Sequence, residues 1–271
     1  MKIIAIICVR NELVYLREVI PYLANERIDV ILIDNESTDD TLDFISTAAY
    51  KNIRHVEKLP FYGHFDLSAQ LDAKVSAIEN ADADWIVHQD ADEILHSPTE
   101  WGGLRRHIEL ADSQGFNVLN FNELVMLPTD PQVDDFIHNN STFYFFEPRP
   151  LRLMRAWKKA AKLVSSHTGG HVLDGDDIVV YPRRMLLKHF IVRTQQHAFD
   201  KYLGRVFSST DLEKGWHGNR LRFNKTNLII PTCGPYLHSL EDPRKAPAKL
   251  PRAYSGHGRP PFRLMPDQDS G

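Results

Sequence analysis

The strongest constraint on the fold is a regular alternation of short apolar runs and helix-period segments in the first 120 residues. The run Ile3–Val9 is uninterrupted, which is typical of a strand buried on both faces of a sheet. Further strands are predicted at 30–33, 53–56 and 85–88, and helices at 13–23, 38–49 and 66–78. This order predicts the α/β class: a mostly parallel sheet flanked by helices.

The pattern changes after residue 120, where helical periodicity becomes rarer. Strands are predicted at 143–146, 178–181 and 185–192, and a helix is predicted at about 195–207. We therefore predict one domain over residues 1–240, with an α/β half at 1–120 and a mixed α+β half at 121–240. Residues 241–271 hold six of the 16 prolines without an apolar period, which predicts a poorly ordered tail.

Charge and cysteine content exclude several classes of protein. The net charge is −4, so the chain lacks the basic balance of a nucleic-acid-binding protein, and no nucleic-acid partner is expected. Two cysteines cannot form a disulfide framework, which favours a reducing, cytoplasmic setting. The first apolar run resembles a short signal peptide, but charged residues replace the cleavage site, and a buried strand is the favoured interpretation. No apolar stretch reaches 18 residues, so membrane association is expected to be at most peripheral.

The densest group of acidic residues is Asp90-Ala91-Asp92-Glu93. It follows the predicted strand 85–88, from which only Gln89 separates it. Ligands bind at the carboxyl ends of strands in open α/β sheets. Three carboxylates in four residues repel one another unless a cation lies among them, and carboxylate oxygens suit Mg²⁺ or Mn²⁺. In an extended chain Asp90 and Asp92 would point to the same side. The alternative is a solvated acidic turn.

Two other predicted strands also end in polar residues. Arg10-Asn11-Glu12 follows the first strand, and Asp34 ends the second, leading through Asn35 and Ser37 into a predicted helix. A strand-terminal carboxylate can accept hydrogen bonds from a ribose hydroxyl or a base N–H, although this turn could also serve only to cap the helix. Three strand ends thus deliver polar side chains to one edge of the sheet.

Taken together, these three segments resemble the family 2 glycosyltransferases of the GT-A fold over about the first 95 residues. The resemblance implies a nucleotide-diphosphate sugar as donor and a divalent metal, Mn²⁺ or Mg²⁺. It also implies a nucleotide-sugar-binding role for residues 1–120 and an acceptor-side role for 121–240. The implied donor-site residues are Arg10, Asn11, Glu12, Asp34, Asn35, Ser37, Gln70, Lys74 and Asp90. The implied metal ligands are Asp90 and Asp92, with His189 as a third candidate, and Asp92 is expected to be nearly essential for catalysis.

The catalytic base is not fixed by the sequence. Members of the family often carry a Glu-Asp pair opposite the donor, but the only such pair here lies at 241–242 in the proline-rich segment. Asp174, Asp176 and Asp177 are the candidate catalytic carboxylates; the alternative is a solvated turn around Gly175. Inverting chemistry is expected through the resemblance alone. The acceptor would be a carbohydrate or a lipid-linked molecule, in surface polysaccharide or glycoconjugate synthesis.

A basic segment and three tryptophans admit two interpretations. The segment could contact phosphates, an anionic acceptor or a membrane surface, but an ordinary solvated face is favoured. Its cations are Arg149, Arg152, Arg155, Lys158, Lys159 and Lys162. Trp101, Trp157 and Trp216 could each stack on a sugar, although buried packing is the favoured role.

Three other functions compete with sugar transfer. An aspartate-nucleophile phosphatase or phosphotransferase would carry its motif on the first strand, whereas three β-units precede Asp90 here. A nucleotidyltransferase usually has a glycine-rich phosphate loop after its first strand, where this chain has Arg10-Asn11-Glu12. A non-catalytic carbohydrate-binding protein on the same fold would tolerate Asp92→Ala.

Overall fold

The computed structural model describes residues 1–47, 50–97, 102–146, 153–242 and 244–247. This part of the chain divides into two compact units. The first unit comprises the described parts of 1–62, 67–123 and 148–188, and the second comprises those of 63–66, 124–147 and 189–271.

The strands and α-helices of the described residues are numbered in chain order. The strands are β1 (Ile3–Val9), β2 (Asp29–Asp34), β3 (Ile53–Lys58), β4 (Trp85–Asp90), β5 (Glu93–His96), β6 (Val118–Leu127), β7 (Thr142–Phe146), β8 (Met154–Lys158), β9 (Met185–His189) and β10 (His238–Ser239). The helices are α1 (Leu13–Asn25), α2 (Thr41–Ser46), α3 (Leu67–Asn80), α4 (Leu104–Ser113), α5 (Phe136–Asn139), α6 (Gln195–Tyr202) and α7 (Ser209–Glu213).

The first unit is built on a sheet with the strand order β6-β8-β4-β1-β2-β3. β1 pairs in parallel with β2 on one side and with β4 on the other, and β2 pairs in parallel with β3. β8 is antiparallel to both β4 and β6. β1 is central, so its residues are covered on both faces, and this explains its unbroken apolar sequence.

Helix α1 shows why the intervening segments are helical. Its apolar residues recur every three or four positions, and this stripe is buried, with Leu16, Ile20 and Leu23 fully inaccessible. One buried cluster of this unit joins β1, β2 and β4 to Ala77 and Ala81 of the α3 region and to Trp157 of β8. The β8 residues therefore complete a core that the first 90 residues begin.

The second unit has a separate apolar core. β7 pairs with β10 in the antiparallel sense. Thr194 caps the start of helix α6, and its side-chain oxygen accepts a hydrogen bond from the His197 N–H at 3.0 Å. Its Ala198 and Tyr202 pack with residues before and after it. The other buried members of this core are Val125, Leu127, Tyr144, Ile191, Val192, Leu228 and Ile230.

The α/β class predicted from sequence, with a mostly parallel sheet and flanking helices, is confirmed. The strand predicted at 178–181 is wrong, because this segment makes only an isolated bridge between Val180 and Val118. The helix predicted at 195–207 ends at Tyr202. The predicted half 121–240 is shared between the two units, since residues 121–123 and the described part of 148–188 belong to the first and the rest to the second. No helix in the described ranges has both the length and the apolar character required to cross a membrane.

Candidate active site

The polar residues predicted at the strand ends lie at one edge of the first unit's sheet. In the strand register, Cys8 is aligned with Ile33 of β2 and with Asp90 of β4, and Val9 is aligned with Asp34. The carboxyl ends of three neighbouring parallel strands therefore coincide. This is the edge at which open α/β sheets bind ligands.

Arg10 holds together the segments that follow β1, β2 and β3. Its guanidinium donates to the carbonyl oxygen of Asn35 at 2.6 Å and also to that of Glu36. The same group lies 3.4 Å above the ring centroid of Phe61. Arg10 therefore contacts the segments after β2 and β3 and holds them next to the end of β1.

Asn11 organises the turn after Asp34. Asn11 has a positive φ of 56°, and its Oδ1 accepts hydrogen bonds from the Thr38 N–H at 2.6 Å and the Asp39 N–H at 3.3 Å. Its own N–H donates to Ser37 Oγ at 3.0 Å. The predicted donor residues Asn11 and Ser37 therefore contact each other, and both support the loop that leads into α2.

Asp34 and Asn35 are buried at the end of β2. Both carboxylate oxygens of Asp34 accept from the Ser37 N–H at 3.2 Å. The Asn35 side-chain amide donates to the carbonyl oxygens of Leu59 and Pro60 at 3.0 Å each. These contacts fix the direction of the chain after β2 and place the Asp34 carboxylate within the edge.

The Asp90 carboxylate, at the end of β4, is held by two buried cations. Its Oδ1 accepts from Lys74 Nζ at 2.7 Å, and its Oδ2 accepts from the Arg155 guanidinium at 3.1 Å. Lys74 is 4% exposed and Arg155 is 1% exposed, whereas 40% of the Asp90 side chain is accessible. The negative charge thus faces solvent on one side and protein cations on the other.

These cations set the protonation of the Asp90 region. Burial acts to raise the pKa of Asp90, but Lys74 and Arg155 outweigh it and hold that pKa well below its usual range. Burial, followed by the charge of Lys74, lowers the pKa of His88 to about 3. The neutral imidazole Nε2 of His88 lies 2.9 Å from Lys74 Nζ and serves as an acceptor for it.

Arg155 also contacts two groups beyond Asp90. Its guanidinium donates to the Glu93 carboxylate at 2.5 Å and to the Gly170 carbonyl oxygen at 2.8 Å. Gly170 has a φ of +84°, and a Cβ there would lie 2.9 Å from His88 Cε1. The loop around Gly170 therefore packs directly against the end of β4.

The geometry limits which residues fit a divalent metal. Ala91 and Asp92 form a turn between β4 and β5, so the extended-chain argument that put Asp90 and Asp92 on the same side is wrong. Each Asp90 oxygen has a cation partner in the protein. Among the described residues, no group of three or more His, Cys, Asp or Glu is arranged to hold a metal ion. Half-buried Asp92 remains a fitting single carboxylate ligand, since Mg²⁺ commonly uses few protein groups together with substrate phosphates.

The other predicted donor-site residues lie near these strand ends. The carbonyl oxygen of Glu12 accepts from the Leu16 N–H at 3.1 Å and so begins α1. Gln70 is half-buried on α3, four residues before Lys74 and hence on the same helical face. Lys74 itself lies behind Asp90, where burial and its contacts with His88, the Gln89 carbonyl and Asp90 hold it in place.

The candidate catalytic carboxylates Asp174, Asp176 and Asp177 are exposed. Asp174 pairs its backbone with Val164, and its carboxylate lies 3.5 Å from His167 Nδ1. His189 ends β9 as the first residue of the second unit and is half-buried. These assignments stay predictions.

The sequence interpretation missed Arg155 as a site residue. Arg155 was grouped with a solvated basic face, and for this residue that interpretation is wrong. The signal was its position in Met154-Arg155-Ala156-Trp157, where apolar neighbours indicate burial. Of the other members of that face, Arg149 and Arg152 lie outside the described residues, as does Trp101, while the buried packing expected for Trp157 is confirmed.

The chain was compared with protein families and with solved structures. Residues 4–118 match the sequence profile of Glycosyl transferase family 2. Among solved structures, S. aureus TarS 1-349 in complex with UDP-GlcNAc is 14% identical, with a TM-score of 0.47, covering 84% of this chain and 74% of that one. Its complex with UDP gives a TM-score of 0.43 at the same identity and coverage. The S. aureus TarS structure gives 0.42 at 15% identity and covers 84% of this chain and 45% of that one.

A comparison with curated proteins finds no match. The family match spans β1 to the start of β6 and so contains all three strand ends that form the edge. Over these residues the chain is similar to Glycosyl transferase family 2.

Proposed function

We propose that the chain transfers a sugar from a nucleotide-diphosphate sugar to an acceptor hydroxyl, with the donor bound at the carboxyl edge of β1, β2 and β4. The observation that carries this proposal is the register that brings Asp34 and Asp90 to either side of the β1 end. Both carboxylates can accept hydrogen bonds from hydroxyl or N–H groups of a nucleoside. The Glycosyl transferase family 2 match covers the same residues.

In such a transfer the acceptor oxygen forms a bond to the anomeric carbon while the bond from that carbon to the diphosphate oxygen breaks. The electron pair leaves with the nucleoside diphosphate, and the acceptor proton passes to a base. We propose Asp174, Asp176 or Asp177 for that base and an inverting outcome. Their carboxylates are exposed, and a carboxylate placed beside the acceptor hydroxyl can act as a general base.

We propose Asp92 as the protein ligand of Mn²⁺ or Mg²⁺, with His189 as a further candidate. A bound divalent cation would stabilise the charge that develops on the diphosphate. The Asp90 carboxylate, in contrast, is oriented by Lys74 and Arg155, so its proposed role is to accept hydrogen bonds from the donor. Arg10, Asn11, Glu12, Asn35, Ser37 and Gln70 would shape the pocket around the nucleoside.

For the acceptor we propose only a chemical class. We propose a carbohydrate or lipid-linked acceptor used in surface polysaccharide or glycoconjugate synthesis, and a cytoplasmic enzyme with at most peripheral membrane association. An aspartate-nucleophile phosphatase is disfavoured because both Asp90 oxygens are engaged by cations, which lowers their nucleophilicity.

The test is a thermal-shift panel of UDP, GDP, CDP and dTDP, each with and without Mn²⁺. A ligand at 100 times its dissociation constant stabilises the native state by about 2.7 kcal/mol. We expect one nucleotide to stabilise the wild-type protein in a Mn²⁺-dependent manner, and Asp92→Ala to remove the Mn²⁺ dependence. Asp72→Ala removes an exposed carboxylate from α3 and is the matched control, which should behave as wild type.

The same panel separates the alternatives. A folded wild-type protein that none of the four nucleotides stabilises would contradict the proposal and favour the non-catalytic sugar-binding function. Nucleotide binding that is unchanged in Asp92→Ala would retain the donor site and reject the metal assignment.

A further inference from the structure

The proposed donor site depends on a charge that the sequence did not assign to it. We propose that Arg155 is a positioning residue, which fixes the Asp90 carboxylate and the Gly170 loop for donor binding without a metal ion. This inference rests on the proposed function. It concerns a residue outside the segment 4–118 that matches the family profile.

The first step is burial. Arg155 is 1% exposed on β8, between Met154 and the fully buried Ala156. A buried arginine is tolerated only if its charge is paired with acceptor groups of the protein. The largest influence on its pKa is burial, which acts to lower it, but Glu93 and Asp90 raise it above the usual value. Arg155 is therefore a fixed, permanent cation.

The second step is the geometry of its partners. A single guanidinium reaches Asp90 Oδ2, Glu93 Oε1 and the Gly170 carbonyl oxygen at 3.1, 2.5 and 2.8 Å. The planar guanidinium fork, with its N–H donors at fixed angles, suits three acceptors that lie in different directions. Arg155 thus holds two like-charged carboxylates on either side of the turn at Ala91 and Asp92.

The third step connects this turn to the next loop. The Gly170 N–H donates to the Ser165 carbonyl oxygen at 2.9 Å, and the His171 carbonyl oxygen accepts from the Met154 N–H at 2.9 Å. The loop is therefore closed on itself at Ser165 and attached to β8 at Met154, next to Arg155. A displacement of Arg155 would loosen the Asp90–Glu93 turn and the Gly170 loop together.

It follows that Asp90 and Asp92 would have different roles: Asp90 would contact the donor directly, and Asp92 would bind the metal ion. The charge of Asp90 is compensated by Arg155 and Lys74, so its orientation does not require a divalent cation. A nucleoside monophosphate, which lacks the second phosphate, should therefore bind equally well in EDTA and in Mn²⁺. Metal dependence should be confined to the diphosphate.

The experiment compares Arg155→Gln, Arg155→Lys and the double variant Arg155→Gln/Glu93→Gln with wild type. Affinity for UDP, GDP, CDP and dTDP is measured by calorimetry in EDTA and in Mn²⁺, and thermal stability is measured in parallel. We expect Arg155→Gln to be less stable and to bind the nucleotide about tenfold or more weakly under both conditions. Arg155→Lys keeps the charge without the fork and should remain folded, with weakened binding.

The double variant separates positioning from folding. Removing the Glu93 charge relieves the buried carboxylate that has lost its contact with Arg155, so thermal stability should recover while nucleotide affinity does not. Recovery of both would overturn the proposal, because Arg155 would then only balance charge in the core. Wild-type affinity in Arg155→Lys would overturn it as well.

A matched control is available on the same strand. Lys158, four positions from the start of β8, pairs with Asp112 at 2.7 Å and is 42% exposed, and Lys158→Gln should bind nucleotide as wild type does. Wild-type protein that binds none of the nucleotides would instead contradict the proposed function itself.

Discussion

Each of the two compact units contains a pair of cations, and the two pairs lie in different surroundings. In the first unit, Lys74 and Arg155 are almost fully buried and contact carboxylates. In the second, Arg205 and Arg220 are partly exposed, and their guanidinium groups lie 4.5 Å above Phe65 and 5.3 Å above Tyr202. Removing one partner of a buried ion pair strongly destabilises the fold, because the other charge stays buried. A partly exposed cation over a ring remains in contact with water, so its removal should destabilise the fold less.

This difference indicates where each unit is sensitive to change. Lys74 and Arg155 in the first unit form one connected network around Asp90, so one substitution disturbs several contacts. The aromatic cluster of the second unit, with Phe207 and His217 stacked at 4.9 Å, is held mainly by apolar contact. Five substitutions, two of them with a matched control, test the comparison.

The largest effect is expected for Arg155→Met. This change leaves Asp90 and Glu93 without their shared cation and should lower the free energy of unfolding by about 3–5 kcal/mol. Urea unfolding is the measurement. Lys158→Met, which removes a half-exposed cation from the same strand, should cost about 1 kcal/mol or less. Equal losses for the two variants would contradict the buried network.

Gly170→Ala should be the next most destabilising change. The added Cβ would meet His88 Cε1 at 2.9 Å, and the φ of +84° is unfavourable for alanine. Gly115→Ala is the control, because Gly115 has a φ of +82° with no atom within 4 Å of the added Cβ. The control isolates a backbone cost of about 1–2 kcal/mol, and Gly170→Ala should exceed it by about 1–3 kcal/mol. Equal thermal denaturation of the two variants would exclude the predicted clash.

Acid sensitivity should follow from His88. Burial and Lys74 lower its pKa to about 3 in the folded state, so below its ordinary pKa of 6.5 only the unfolded chain takes up this proton. The free energy of unfolding should therefore fall by about 1.4 kcal/mol per pH unit, or about 2–3 kcal/mol between pH 6.5 and 4.5. His88→Gln should remove this contribution, as measured by urea unfolding at both pH values.

The second unit offers a comparison for this pH dependence. Burial lowers the pKa of His217 to about 4. Its contribution to the free energy of unfolding should therefore decrease as the pH falls below 6.5, and the decrease should be complete near pH 4. His217 is only half-buried, and His217→Gln should therefore change the slope less than His88→Gln does. The opposite ranking would mean that the two imidazoles do not differ in the way described.

The smallest effect is expected for Arg205→Met in the second unit. Methionine keeps apolar contact with Phe65 while losing the cation, so the loss should be about 0.5–1 kcal/mol. Urea unfolding beside Arg155→Met gives the direct comparison. A loss as large as that of Arg155→Met would remove the distinction between the two units.

Much of the first unit could be predicted because its central strands are apolar throughout. β1, β2 and β4 appear in the sequence as short unbroken runs, and their ends locate the edge that carries Asp34 and Asp90. Burial on both faces leaves no alternation to interpret, so the run itself is the signal. The chemistry at the edge followed from the carboxyl-end rule for parallel sheets.

β6 shows why other elements escaped prediction. All ten of its residues are buried, yet Asn120, Asn122 and Glu123 interrupt the apolar pattern. Asn120 Oδ1 accepts from the Leu153 N–H at 3.1 Å, so a polar residue is satisfied inside the fold by a distant partner. Such pairings depend on tertiary contacts that local periodicity does not report. Arg155 is the same case with a full charge.

The acidic motif was recognised, but the source of its counter-charge was not. Three carboxylates in four residues do require a cation, and sequence reasoning supplied a metal for all of them. The structure supplies Lys74 and Arg155 for Asp90, and Arg155 again for Glu93. The requirement was therefore correct, while the identity of the cation depended on a strand 62 to 65 residues further along the chain.

The distance along the chain between Asp90 and Arg155 has a consequence for folding during synthesis. During synthesis, Asp90 and Glu93 leave the ribosome long before Arg155 exists, and the strand that carries Arg155 inserts antiparallel beside β4. Until then the emerging chain must keep these carboxylates hydrated, and the edge of β4 stays open. A fragment ending at residue 118 would hold nearly every donor-site residue and still be unable to close its own acidic turn.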